Sequence, residues 1–301
     1  MVSAAGVPTD PKEQFRIGLD YYVGNNVRQS YEDAFVWFKR SADQGDPNAQ
    51  CLLGKMYSYG YGIERSPELA HRYLRLSSDQ GVPQAKYELG MLYQMGMGVD
   101  TDVRTAVSLW RSAAEDGYSR AQLAMGMACD SGAGVPCSRQ EAFSWYLSAA
   151  SQGLAPAQSK VGMRYLEGIG IDRSCREAAR WFRIAAENGD VRAVFELGWM
   201  AYFGLGVTAS SAEAERLIRK SLDRGVFDLL LKEAMQSNPY SQLRVGWLYD
   251  MGWGVQQSCF KALAWYSGAR VMGVEMAERL IDDLSDRISE MSEKEGTSVS
   301  I

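Results

Sequence analysis

The apolar and polar positions of this chain follow a pattern that returns every 36 residues. The stretch from Ala85 to Gly117 carries it in full. Leu89 and Gly90 are followed by Tyr93, the glycines Gly96 and Gly98, the polar Asp102, then Ala106, the bulky pair Leu109 and Trp110, the small pair Ala113 and Ala114, and a closing glycine. Counting from Gly90 in steps of 36 reaches Gly18, Gly54, Gly126, Gly162 and Gly198, and one step lengthened by 12 reaches Gly246. That makes seven copies. A period of this size denotes a solenoid or array, in which each unit buries its apolar face on its neighbours.

Within each copy the residue types predict two helices. Three residues past the shared glycine, five of the seven copies carry tyrosine: Tyr21, Tyr57, Tyr93, Tyr165 and Tyr249. Paired glycines follow at offsets six and eight, except in the first copy, where Gly24 is followed by Asn26. Asparagine tolerates a left-handed backbone better than other side chains, so this position is predicted to need a positive φ. At offset twelve every copy has a helix-capping residue, Ser30, Ser66, Asp102, Ser138, Ser174, Ser210 or Ser258. Ser138 with Glu141, Ser174 with Glu177 and Ser210 with Glu213 have the spacing of reciprocal capping boxes. A glycine inside a helix costs about 1 kcal/mol relative to alanine, so a glycine retained at one mid-helix offset predicts close approach of the partner helix.

The pattern therefore predicts a leader over residues 1–10, seven helical hairpins over 11–273 and a capping helix over 274–293, ending in a tail over 294–301. The 12 extra residues fall at about 226–238, where Leu229, Leu230, Ala234 and Met235 have helical spacing. In the capping helix Leu280, Ile281, Leu284 and Ile288 lie opposite Asp282, Asp283, Asp286 and Glu290, an amphipathic face that covers the last hairpin. The leader and tail carry no packing pattern and are expected to be loose.

A 36-residue hairpin reading LGxxYxxGxGV and then KAxxWYxxAAxxG resembles the Sel1-like repeat family, relatives of the tetratricopeptide repeats. The likeness covers roughly residues 12–273 and is closest over Leu89–Gly117 and Gly162–Gly189. Tetratricopeptide repeats have a period of about 34 residues and lack the GxG turn, so they fit less well. The resemblance implies an all-α fold, a right-handed α/α superhelical solenoid, and a non-catalytic adaptor that presents a surface to other proteins. Family members serve bacterial signalling, envelope biogenesis and host interaction, and eukaryotic quality control. Departures cluster late, where Ala201 replaces tyrosine and Leu217 with Ile218 replaces the aromatic pair, so regular geometry is least expected near the sixth copy.

Composition narrows the function classes. The chain has 301 residues and a net charge of −5, with lysines and arginines scattered among acids, which argues against nucleic-acid binding. The first residues lack the basic-then-apolar order of a signal peptide, and no stretch reads as a membrane span. Five cysteines without regular pairing fit a reducing cytoplasm. His71 is the only histidine, so no multi-histidine metal site can form, and neither a metal nor a cofactor is expected. Ser258 and Lys261 match an SxxK pattern of penicillin-recognising enzymes, but Ser258 falls on the capping offset and the companion SDN and KTG motifs are missing. Each GxG lacks a third glycine and follows a helix, so nucleotide binding is not supported.

Binding residues are expected on the first helices, whose offsets −3, +1 and +5 share one face. These are Phe195, Trp199 and Phe203 in the sixth copy, Leu243, Trp247 and Met251 in the seventh, and Tyr87, Met91 and Met95 in the third. In superhelices of the kind the resemblance implies, first helices line the concave side, and Tyr202 and Trp253 stand near this stripe. Trp and Met are enriched at protein-binding surfaces. The second copy offers Cys51, Lys55 and Tyr59, and the fifth Ser159, Met163 and Glu167, so the C-terminal third is the preferred contact region. The competing reading is that neighbouring hairpins bury the stripe as core. The leading function is thus a non-enzymatic scaffold for a protein or peptide partner, itself a monomer or weak homodimer. A hydrolase using Ser258 and Lys261, or a self-assembling structural protein, is the alternative.

Overall fold

The structure is a computed structural model that describes residues 8–295. Residues 1–7 of the expected leader and 296–301 of the expected tail lie outside the described residues. The chain divides into two compact units, one ending at Ser174 and the other beginning at Cys175. The first holds α1 (Pro11–Val23), α2 (Tyr31–Asp43), α3 (Pro47–Tyr59), α4 (Pro67–Asp79), α5 (Pro83–Met95), α6 (Val103–Glu115), α7 (Ser119–Ser131), α8 (Arg139–Ser151) and α9 (Ala155–Glu167). The second holds α10 (Cys175–Glu187), α11 (Val191–Phe203), α12 (Ser211–Leu222), α13 (Val226–Met235), α14 (Pro239–Met251), α15 (Cys259–Val271) and α16 (Glu275–Glu295). Among the described residues all regular structure is helical, and within each unit consecutive helices pack on one another as the hairpins of an all-α solenoid.

The shared glycine explains why each hairpin closes tightly. A Cβ placed on Gly18 would stand 2.6 Å from the Phe38 ring, and one on Gly246 would stand 2.7 Å from the Tyr266 ring. In both hairpins the second helix presses its bulky residue into the space that a side chain would fill. Between hairpins the second turn glycine plays the same part: a Cβ on Gly62 would meet the Tyr31 main chain at 2.5 Å, at the start of the preceding second helix. Asn26 occupies this turn position in the first copy with φ 58°, the left-handed conformation its residue type predicted.

Capping follows the sequence in part. Ser138 Oγ accepts from the Glu141 amide at 3.2 Å, and Ser210 Oγ from the Glu213 amide at 3.3 Å. The reciprocal half of the expected box is replaced. The N–H of Ser138 donates to the Cys129 carbonyl at 2.9 Å, that of Ser174 to Tyr165 at 2.8 Å and that of Ser210 to Ala201 at 2.9 Å. Hairpin closure thus supplies the acceptor, and the glutamates turn to arginines instead: Glu141 to Arg111, Glu177 to Arg180 and Glu213 to Arg216.

The extra residues form α13, which packs on α14 as α2 packs on α3. Gln242 donates to the Ala234 carbonyl of α13 at 3.2 Å, the bond that Gln122 makes to Ala114 at 3.2 Å and Gln158 to Ala150 at 3.2 Å. In its contact with the following first helix, α13 therefore stands in for a second helix. The last helix, α16, packs against α15, and Val274, Ala277, Leu280 and Leu284 are all buried there.

Candidate functional site

In the second unit the aromatic stripe is core. Trp199 and Trp247 are only 2% and 1% exposed, and their rings meet edge-on with centroids 5.1 Å apart. The expectation that these two tryptophans face a partner is therefore corrected, because their rings pack on each other and beneath Tyr202, Phe203 and Trp253. Phe195 and Leu243 are buried with them. Tyr202 and Phe203 remain half-buried at the rim, as do Met251 and Trp253. Their rings are locked against the buried pair: Phe203 lies 4.6 Å from Trp199, while Tyr202 and Trp253 lie 4.9 and 5.0 Å from Trp247. The Tyr202 hydroxyl reaches the Met251 sulfur at 3.7 Å.

Charged groups lie beneath this cluster. The Arg244 guanidinium sits 5.3 Å from the Trp199 centroid and 2.6 Å from the Glu196 carboxylate, with both charged side chains buried. Arg192 approaches Glu196 at 3.5 Å and also pairs with Glu233 of α13, which accepts from Ser241 Oγ at 2.6 Å. Two arginines and two glutamates thus neutralise one another, as buried charges must.

In the first unit the first-helix stripe is partly buried, with Cys51, Ser159 and Met163 inside, and is exposed toward the helix ends. Val23 of α1, Tyr59 of α3 and Met95 of α5 occupy the same register, offset +5, and are 60%, 53% and 51% exposed. Met127 of α7, at offset +1, is 53% exposed. Met91 is half-buried beside this row. Tyr59 is held by the Tyr61 ring at 5.5 Å, and Tyr61 stacks in turn on Tyr31 at 5.3 Å. The Tyr59 hydroxyl points to Glu88, 3.5 Å away, and Lys55 pairs with the same buried carboxylate at 3.4 Å. Burial and the Glu88 charge raise the Tyr59 phenol above its ordinary pKa, so it remains a neutral hydroxyl at physiological pH.

By sequence the second copy is a poor contact region, because Lys55 interrupts its apolar stripe. The structure shows that the charge is taken up by Glu88 from the neighbouring first helix, 33 residues on, leaving Tyr59 as the exposed group. That pairing of offset +1 in one copy with offset −2 in the next is the signal that could have revealed it.

The candidate chemistry is otherwise committed elsewhere. Ser258 Oγ accepts from the Lys261 amide at 3.3 Å, while the Lys261 ammonium lies 5.0 Å from the Tyr249 ring centroid. The hydroxyl is thus a helix cap and the amine a cation over an aromatic ring. His71 hydrogen-bonds the Tyr93 hydroxyl at 3.3 Å, and burial lowers its pKa. The buried Cys51 and Cys129 thiols are pushed up by burial to about 12 and about 11. Among the described residues no cluster of three or more His, Cys, Asp or Glu could hold a metal ion, and no helix is long and apolar enough to cross a membrane.

These features define a helical-hairpin solenoid of the tetratricopeptide-like class, in which stacked copies provide both core and surface. The Sel1 repeat profile matches residues 14–46, 47–82, 83–118, 119–154, 155–190, 191–226 and 239–269, and the chain belongs to the Sel1 repeat family. A Sel1 repeat protein from Oxalobacter formigenes shares 34% identity at a TM-score of 0.67, over 72% of this chain and 89% of its own. The c5321 protein, a protective antigen of uropathogenic Escherichia coli with the same repeat fold, shares 30% identity at a TM-score of 0.63. That alignment covers 93% of this chain, which spans 65% of the length of the c5321 chain. No curated protein matches this chain in sequence.

Proposed function

We propose that this chain is a non-catalytic adaptor that holds a protein partner against the first-helix face of its N-terminal unit. The observation that carries this reading is the row of Val23, Tyr59, Met95 and Met127, large apolar side chains left more than half exposed on first helices of that unit. Val23, Tyr59 and Met95 close three successive first helices at the same offset, and exposed apolar patches mark interaction sites in soluble proteins. Tyrosine and methionine suit such a surface, since the first offers a rigid ring with a hydrogen-bonding tip and the second adapts to irregular shapes. The Sel1 repeat is typically a protein-interaction scaffold, which favours the same reading, and the two bacterial relatives favour a bacterial setting. The half-buried rim of Tyr202, Phe203, Met251 and Trp253 is a second contact candidate in the C-terminal unit.

The test begins with a partner captured by the full chain and identified by mass spectrometry. Its affinity is then titrated against a Tyr59→Ser, Met95→Ser double variant. Loss of these anchors should weaken binding at least about tenfold, or 1.4 kcal/mol, with the helical circular dichroism unchanged. Unchanged affinity in the folded variant rejects this face.

A further inference from the structure

A different surface stands out when the seven second helices are compared in their common register. Fourteen residues past the shared glycine the other copies place Glu32, Glu68, Arg104, Gln140, Arg176 and Ala212, but the last has Phe260. At offset 25 they place Asp43, Asp79, Glu115, Ser151, Glu187 and Asp223, but the last has Val271. Both substitutions are on the surface, with Phe260 and Val271 each 83% exposed. Between them, at helical spacing, stand the exposed Ala264 and the half-buried Ser267. The outer face of α15 is therefore a largely apolar stripe at i, i+4, i+7 and i+11, large at both ends and small in the middle.

Its charge is equally distinct. α15, CFKALAWYSGARV, contains no acidic residue, and its two cations, Lys261 and Arg270, are both exposed on either side of the stripe. The acid that most copies carry at offset 25 is here replaced by valine, so no carboxylate of α15 balances these cations, and the contact of Lys261 with the Tyr249 ring leaves its full positive charge at the surface.

From this we infer that the outer face of α15 docks an amphipathic helix of a partner protein whose apolar stripe is bordered by aspartate or glutamate. Small residues at the centre let two helix axes approach to about 8 Å, while Phe260 and Val271 grip the ends. The stripe spans 12 residues, about 16 Å or three turns, which sets the length of the complementary helix. Acidic borders meet Lys261 and Arg270, and this charge match selects the partner and its orientation. The surface is independent of the first-helix face proposed above.

The probe is a fluorescein-labelled amphipathic peptide of about five turns with leucines at i, i+4, i+7 and i+11 and glutamates on both flanks, titrated by anisotropy with the full chain. A twin peptide carries lysines on the flanks. The protein variant is Phe260→Glu with Val271→Asp, which restores the residue types used at these positions in copies one and two and so preserves the fold. The glutamate-flanked peptide should bind at least about tenfold more tightly than its twin, and the variant should lose at least about tenfold in affinity with unchanged helicity. The Tyr59→Ser, Met95→Ser variant should bind the peptide as the unaltered chain does. Equal binding of the two peptides, no binding of either, or full binding by the Phe260→Glu, Val271→Asp variant overturns the inference. Sedimentation showing a dimer of the unaltered chain that the same variant dissociates overturns it too, in favour of a second copy as the occupant.

Discussion

Gly90 lies in the middle of α5, where helix propensity alone favours alanine by about 1 kcal/mol. Yet a Cβ there would collide with the Trp110 ring and lie 3.0 Å from the Ala106 carbonyl. Overpacking of this sort costs about 1–3 kcal/mol, and a main-chain oxygen cannot rotate away as a side chain can. Gly90→Ala is therefore expected to destabilise by up to about 2 kcal/mol net, read as a lower urea midpoint, whereas a stabilised variant would show that Trp110 yields freely. This glycine was legible from sequence because seven copies agree on it. Trp199 and Trp247 were not legible in the same way: a large aromatic at a first-helix position is equally compatible with core and with surface, and only the neighbouring helix decides. Tyr59 shows the reverse failure, since Lys55 makes its copy look polar until Glu88 is found beside it.

The hairpins were readable as elements because caps, turn glycines and bulky pairs recur at fixed offsets, so an error in one copy is corrected by the others. The helix at α13 was readable too, from the spacing of its leucines, but its packing was not, since it has no second copy to compare. What anchors it is the chain of charges from Glu233 through Arg192 to Glu196 and Arg244, contributed by three helices. Removing one partner from a buried ion pair leaves the other uncompensated and costs about 3–5 kcal/mol. Arg244→Ala should accordingly lower the stability of the second unit by that order, since Glu196 is left with the longer contact to Arg192 at 3.5 Å. The control is Arg219→Ala, which breaks the exposed pair with Glu215 and should leave the urea transition nearly in place. Equal effects of the two variants would show that the buried network contributes no more than a surface pair.

A stack of repeats must end, and an apolar face left open at the end would invite another copy. After the last matched repeat, α16 packs on α15 and covers that face. Ala277 lies 36 residues after Ser241 and is buried as Ser241 is, so α16 enters the register of an eighth first helix. At the position of the shared glycine, 36 residues after Gly246, it carries the exposed Asp282. Among the described residues no second helix packs on that point, and Asp282 there is exposed. The outer side is acidic, with Asp282, Asp283 and Asp286 exposed, while Arg287 reaches back to the buried Asp250 at 2.6 Å. Asp250 in turn accepts from the Tyr266 hydroxyl at 3.3 Å. Ending the chain at Gly273 removes the burial of Val274, Leu280 and Leu284, roughly 4.5–9 kcal/mol at about 1.5–3 kcal/mol for each side chain, and strips Asp250 of its cation. The expected outcome is a second unit that melts before the first, seen as two separated thermal transitions, together with concentration-dependent association in light scattering. A truncated chain that stays monomeric and melts with the full-length profile would mean that α16 contributes little to closing the stack, and that the self-assembly alternative must be judged on other surfaces.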